Sequence, residues 1–122
     1  MNGLVVGDLA LVTEQTGTHG PLCVFWRGKS NERDPGKVLR PFFATLLDLA
    51  RQRRTPVELH LGAIEYVNSS TLSAIVRLIR ESRDAGVKLV IVYDGGRNWQ
   101  RLAFDPLSVF VTDDGLFELR AM

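Results

Sequence analysis

Apolar and polar positions follow two different periods along this chain. Leu9 to Thr13 reads as a strand, and Thr16-Gly17-Thr18-His19-Gly20 has turn chemistry leading into a second strand, Leu22 to Arg27. In that second strand Leu22, Val24 and Trp26 share one face while Cys23 and Phe25 share the other, so both faces are expected to be at least partly covered. A polar loop from Ser30 to Gly36 ends in Asp34-Pro35, the pattern of an N-cap followed by proline at the first helical position. The period then changes. Leu39, Phe42, Phe43, Leu46 and Ala50 fall at helical spacing up to about Arg53, after which Val57-Glu58-Leu59-His60-Leu61 returns to alternation with three aliphatics on one face.

The second half repeats this exchange of periods. Ser69 to Asp84 carries Leu72, Ile75, Val76 and Ile79 at i, i+3, i+4 and i+7, a stripe predicted to face the core, with Arg77, Arg80, Glu81 and Arg83 on wetter faces. Gly86 stops that helix, and Lys88 to Tyr93 is a continuous run rich in branched residues, as in a buried parallel strand. Strand, helix, strand at this spacing is a βαβ unit, so the strands at 57–61 and 88–92 are expected to be parallel neighbours. A short helix is predicted from Asn98 to Phe104, before Asp105-Pro106. The tail holds Val109 to Val111, an Asp114-Gly115 turn and Leu116 to Leu119. The expected fold is α/β, a mixed sheet entered by an N-terminal hairpin with helices packed on it. Neither a helix bundle nor an all-β fold produces this alternation.

Composition narrows the picture only modestly. The 122 residues are the length of one domain, 1–122, and 45% hydrophobic with 24% charged residues is globular composition. Fifteen basic against fourteen acidic residues leave a net charge of +1, so no global field recruits nucleic acid or an acidic membrane. The single cysteine, Cys23, excludes an intrachain disulfide and fits a reducing compartment. No apolar run approaches the length that spans a bilayer, and the first residues, Met-Asn-Gly-Leu-Val-Val-Gly-Asp, lack the pattern of a signal peptide. A cytoplasmic location is expected.

Residues 57 to 71, Val-Glu-Leu-His-Leu-Gly-Ala-Ile-Glu-Tyr-Val-Asn-Ser-Ser-Thr, resemble the strand-loop-helix signature of STAS domains, the fold of sulphate-transporter and anti-sigma-factor-antagonist domains. The resemblance continues through Ala85-Gly86-Val87-Lys88-Leu89-Val90-Ile91-Val92 and covers residues 22 to 119. His60 stands where the family strand usually has Asp, Asn68 where the loop usually has Asp, and Thr71 where the helix usually starts with Gly. The Asn followed by hydroxyl residues is similar to a bacterial subgroup, the SiaC-type regulatory phosphoproteins. That likeness implies Ser69 as the phosphorylated hydroxyl and a STAS-like mixed sheet as the fold. It further implies a partner switch in which Asn68, Ser69, Ser70 and Thr71 contact partners. Those partners would be an anti-sigma-like serine/threonine kinase and a PP2C-type phosphatase or another output protein.

The residues themselves admit a plainer reading. Asn68 or Ser69 can simply cap the helix by accepting from its free N–H groups. A phosphate on Ser69 is nonetheless chemically compatible with that position, since a helix N-terminus offers unpaired N–H donors and the positive dipole end. Asn68 in place of Asp removes a carboxylate that would repel the phosphate, and equally removes one that could orient a kinase. Two readings in different classes therefore stand: a phosphorylation-controlled interaction domain, and a constitutive binding or scaffold domain that kept the fold alone. Thr71 in place of Gly supports the second, because a branched residue there limits close approach of a partner. A small-ligand or nucleotide pocket near the same helix start is a third.

Other constellations are weaker. Pairing Ser69 with His60 as nucleophile and base would need an orienting acid and an oxyanion hole, and Gly-x-Ser-x-Gly is absent, so no catalytic residue is assigned and the chain is not expected to be an enzyme. With one Cys and two His, no metal-ligand cluster is evident, and no cofactor is expected. Lys37, Arg40, Arg51, Arg53 and Arg54 form a basic region read as a solvated face with a match to the dipole at the helix C-terminus, an acidic partner being the alternative. Gly95-Gly96 reads as a turn, because it lacks the spacing of a phosphate loop.

Overall fold

The computed structural model describes residues 3–122. Its seven-stranded sheet has β1 (Gly3–Val6), β2 (Leu9–Gln15), β3 (Leu22–Ser30), β4 (Val57–His60), β5 (Ile64–Val67), β6 (Leu89–Tyr93) and β7 (Phe117–Ala121). Three helices accompany it: α1 (Gly36–Arg53), α2 (Ser69–Asp84) and α3 (Asn98–Phe104), followed by a 3-10 turn at Asp105–Phe110. The strand order is β1-β2-β3-β4-β6-β7, with β5 beside the far end of β3. The sheet is mixed: β1, β2 and β3 are antiparallel, and β3, β4, β6 and β7 run parallel.

The expected βαβ unit is present. Val57 pairs with Leu89 and His60 with Val92 across β4 and β6, joined through α2. Every side chain of β6 is buried, as its unbroken apolar run requires of a central strand. The N-terminal hairpin is also present, with Leu9 opposite Gly28 and Gln15 opposite Leu22. Gly28 adopts φ +88°, and a Cβ there would lie 2.0 Å from the Asp8 carbonyl oxygen, so a larger residue would push the hairpin apart.

Leu22, Val24 and Trp26 of β3, Val57 and Leu59 of β4 and Leu89 and Ile91 of β6 face the helices and form the core with Leu39, Phe43 and Leu46 of α1. The Trp26 and Phe43 rings stack 6.2 Å apart at its centre. The opposite face of the sheet, carrying Phe25 and His60, stays partly open.

Several expectations are adjusted. Leu39 N–H already bonds the Pro35 carbonyl at 2.9 Å, so α1 does begin around the proline, but no side chain caps it, Asp34 included. On α2, Ile75 and Ile79 are buried as predicted, whereas Leu72 and Val76 are only half-buried. The buried face is rotated toward Thr71, Ala74, Leu78 and Ser82. The tail at 109–111 is no strand: Val109 and Phe110 belong to the 3-10 turn and Val111 follows it.

Candidate functional site

The start of α2 is held from three directions. β5 ends at Val67 beside Ser30 of β3, and Asn68 N–H donates to the Ser30 carbonyl at 3.0 Å. Asn68 then leaves the strand in an extended conformation and becomes the N-cap. Its Oδ1 accepts from the Thr71 N–H at 2.8 Å and from the Thr71 hydroxyl at 2.7 Å, while its Nδ2 donates to the Glu32 carbonyl at 2.7 Å. The carboxamide thus uses both its acceptor and its donor. A carboxylate cannot supply the donor, which gives a structural reason for Asn where the resemblance leads one to expect Asp.

Because Asn68 does the capping, Ser69 is freed from it. Ser69 and Ser70 occupy the first helical positions with exposed side chains, and neither hydroxyl is engaged in a hydrogen bond with a described residue. The free N–H groups of a first helical turn are the donors that an anion there would use. The turn Ser69-Ser70-Thr71-Leu72 carries no charged side chain of either sign.

Thr71 differs from the other three predicted partner-contact residues. Its side chain is fully buried, with Oγ1 2.6 Å from the Ser30 hydroxyl. It therefore positions the helix start from beneath, and of the four residues only Asn68, Ser69 and Ser70 reach the surface. The same burial removes the argument that a branched side chain at 71 obstructs a partner, since the branch points inward. Ser30, read from the sequence as the start of the polar loop, is instead the last residue of β3, and counting the alternation from Leu22 places it on the inner face.

From Ser69 a shallow groove of about 620 Å³ runs along the outside of α2, lined by Leu72, Ser73, Val76, Arg77 and Arg80. Arg77 is paired with Glu81 at 2.7 Å, and the Arg80 guanidinium lies over the Phe110 ring. The half-burial of Leu72 and Val76, unexpected from periodicity, is what gives this groove an apolar floor.

α3 closes the end of the sheet near the loop between β4 and β5. Gln100 is buried there, accepting from the Asp94 N–H and donating to the carbonyls of Leu61 and Ile64. Gly96 N–H bonds Asp94 Oδ1 at 2.8 Å, the turn expected of Gly95-Gly96.

His60 does not serve Ser69. It belongs to the open face of the sheet, where its Nε2 lies 2.9 Å from Glu58 Oε1 and its ring stacks on Phe25 at 4.6 Å. Cys23 is drawn into the same group, its Sγ 3.6 Å from Glu58 Oε1. Burial, and next the Glu58 carboxylate, push the Cys23 thiol up to about 11. Cys23, Glu58 and His60 thus place their potential ligand atoms within 4.8 Å of one another, correcting the expectation that no such cluster exists. Cys23 is separated in sequence from the other two, but parallel pairing of β3 with β4 sets it opposite Glu58. Among the described residues, no helix is long and apolar enough to cross a membrane.

No curated protein matches the chain in sequence. The family model of the STAS domain matches residues 33–102, spanning α1, β4, β5, the capped start of α2, β6 and most of α3, and the chain belongs to the STAS domain family.

Proposed function

We propose that this STAS domain is a protein-interaction switch controlled by phosphorylation of Ser69. Membership in the family makes it an anti-sigma-factor-antagonist-like regulatory or binding domain, one that works through protein–protein contacts. The observation that supports the switch is the division of labour at the start of α2. Asn68 satisfies the cap, so the Ser69 hydroxyl stays exposed and uncommitted at a helix N-terminus.

A kinase can reach that hydroxyl without disturbing the helix. The phosphate formed carries about −1.5 to −2 charges at pH 7 and finds N–H donors at the first turn. The modified domain stays folded, but its uncharged contact surface becomes negative. A partner seated over Ser69, Ser70 and the Leu72–Val76 floor would bury the unmodified serine. It would meet a hydrated dianion after modification, and stripping water from an unpaired charge is prohibitive unless the partner supplies a cation. A serine/threonine kinase of the anti-sigma type would be the binding partner and modifier, and a PP2C-type phosphatase would restore binding. On this reading the domain itself performs no catalysis and is cytoplasmic and bacterial, like the regulators it resembles.

Intact-mass spectrometry of protein isolated from its own organism, followed by site mapping, tests this directly. The expected result is a single phosphoryl group on Ser69 that Ser69→Ala protein lacks. Phosphate confined to Ser70 would move the acceptor by one residue. Unmodified protein throughout, under conditions that change its partner binding, would favour a constitutive scaffold.

A further inference from the structure

We propose that Cys23, Glu58 and His60 form a zinc site on the open face of the sheet, separate from the Ser69 surface. The three side chains offer one thiolate sulfur, one carboxylate oxygen and one imidazole nitrogen. This mixed, borderline-soft set suits Zn²⁺ and is wrong for Mg²⁺ or Ca²⁺, which demand oxygen ligands.

The sheet supplies the placement. Cys23 and Glu58 are direct partners across β3 and β4, and His60 lies one side-chain period further along β4 on the same face. Both strands are interior, so the ligands stand on rigid backbone rather than on loops. The stacked Phe25 ring fixes the imidazole from one side. The His60 and Glu58 side chains are 27% and 18% exposed, withdrawn from bulk water yet reachable by an ion.

The distances agree with a shared cation. Zinc bonds of about 2.0–2.3 Å in a tetrahedron hold ligand atoms roughly 3.3–3.8 Å apart. Here Sγ and Nε2 lie 3.6 and 2.9 Å from the same Glu58 oxygen, and all three atoms fall within 4.8 Å. In the metal-free protein two hydrogens converge on one carboxylate oxygen. On binding, the thiol proton leaves to solvent and the imidazole hydrogen moves through solvent from Nε2 to Nδ1, freeing the Nε2 lone pair, so one divalent ion replaces both hydrogen bonds.

Three protein ligands leave a fourth position, which opens onto a groove of about 580 Å³ lined by Val12, Glu14, Phe25, His60 and Val92. Water or the exposed Glu14 carboxylate, opposite Cys23 on β2, would complete the tetrahedron. The site also gives a role to His60, a departure from the residue the family resemblance leads one to expect.

The test uses untagged, reduced, chelator-stripped protein titrated with Co²⁺ and then Zn²⁺. Equimolar Co²⁺ should raise a thiolate-to-metal charge-transfer band in the near ultraviolet, and Zn²⁺ should bleach it by displacement. Cys23 is the chain's single cysteine, so Cys23→Ser should abolish the band completely. Glu58→Gln and His60→Ala, checked for fold by circular dichroism, should each weaken zinc binding by at least the ~10–100-fold that even outer-shell changes cost. A wild-type titration without the band, zinc affinity unchanged in both variants, or one cobalt per two chains would each overturn the proposal.

Discussion

The hydroxyls of Ser30 and Thr71 meet 2.6 Å apart beneath the start of α2, joining the end of β3 to the helix that carries Ser69. Thr71 donates its hydrogen to Asn68 Oδ1, so Ser30 must be the donor in the Ser30–Thr71 bond. The three residues form one chain of hydrogen bonds, in which Ser30 and Thr71 are buried. Thr71→Val keeps the shape but strands the Ser30 hydroxyl, and should cost about 1–3 kcal/mol in urea denaturation. The double variant Ser30→Ala/Thr71→Val should cost clearly less than the sum of the two singles, because it removes both ends of the bond together. Strict additivity would show that the hydroxyls do not interact.

Asn68→Asp probes the other end of that chain. The aspartate can still cap α2, and its charge gains ~0.3–1 kcal/mol from the helix dipole. It loses the donor to the Glu32 carbonyl and sets two oxygens face to face, at a cost of about 1–3 kcal/mol. The net effect should be a modest loss of stability, with Asn68→Ala worse because the cap is gone as well. A gain in melting temperature on Asn68→Asp would show that the Glu32 contact contributes little.

The rotated face of α2 makes two neighbouring residues behave differently. Ile75 has no exposed surface, and Ile75→Ala should cost ~2–5 kcal/mol through lost burial and a cavity. Val76 is half-buried on the groove side, and Val76→Ala should cost less than about 1 kcal/mol. Equal losses at the two positions, measured by chemical denaturation, would contradict this orientation.

Much of this architecture was legible because period carries secondary structure. α2 and α3 begin and end where the sequence signals place them, and the β4–α2–β6 crossover follows from type and spacing. Two strands were not legible. Gly3-Leu4-Val5-Val6 and Ile64-Glu65-Tyr66-Val67 lack the clean alternation that marks the equally short β4, and both are set by pairing with a longer strand. A helical stripe likewise fixes a face only to within one residue's rotation, hence the misplacement of Leu72 and Val76. At the site, the capping asparagine and the serines were readable from local chemistry. Ser30 beneath Thr71, and Cys23 beside Glu58 and His60, depend on which strands become neighbours, information that no local pattern holds.

Tyr93 provides a titration that reports on the packing of β6. Its ring is buried against Phe104 and its hydroxyl donates to Asp105. Burial first, then the Asp105 carboxylate, push the phenol from 10.0 up to about 12. The folded protein therefore holds this proton more tightly than the unfolded chain. The corresponding stability is complete below pH 10 and is lost as pH rises from 10 through about 12. In Tyr66→Phe protein, where Tyr93 is the remaining tyrosine, absorbance titration of the phenolate should show a midpoint near 12. Asp105→Asn should move it back toward the ordinary value. A midpoint near 10 with Asp105 intact would mean that the hydroxyl faces solvent.

Charge at Ser69 should separate folding from binding. At the first position of α2 a negative side chain is favoured by ~0.3–1 kcal/mol, and salt screens that gain. Ser69→Glu should therefore melt at or slightly above the wild type in low salt, and the difference should shrink as salt is added. Ser69→Lys should show the opposite sign. Ser69→Ala should leave stability nearly unchanged, because Asn68 rather than Ser69 holds the cap. Partner binding should follow a different order: Ser69→Ala close to wild type, Ser69→Glu weakened, and the phosphorylated protein weakest, since it carries more charge than the carboxylate. Surface plasmon resonance with an identified kinase partner would measure this. Binding lost in Ser69→Glu at undiminished melting temperature assigns the effect to the contact surface. A parallel fall in stability would instead place Ser69 in the structural cap and remove the physical basis of the switch.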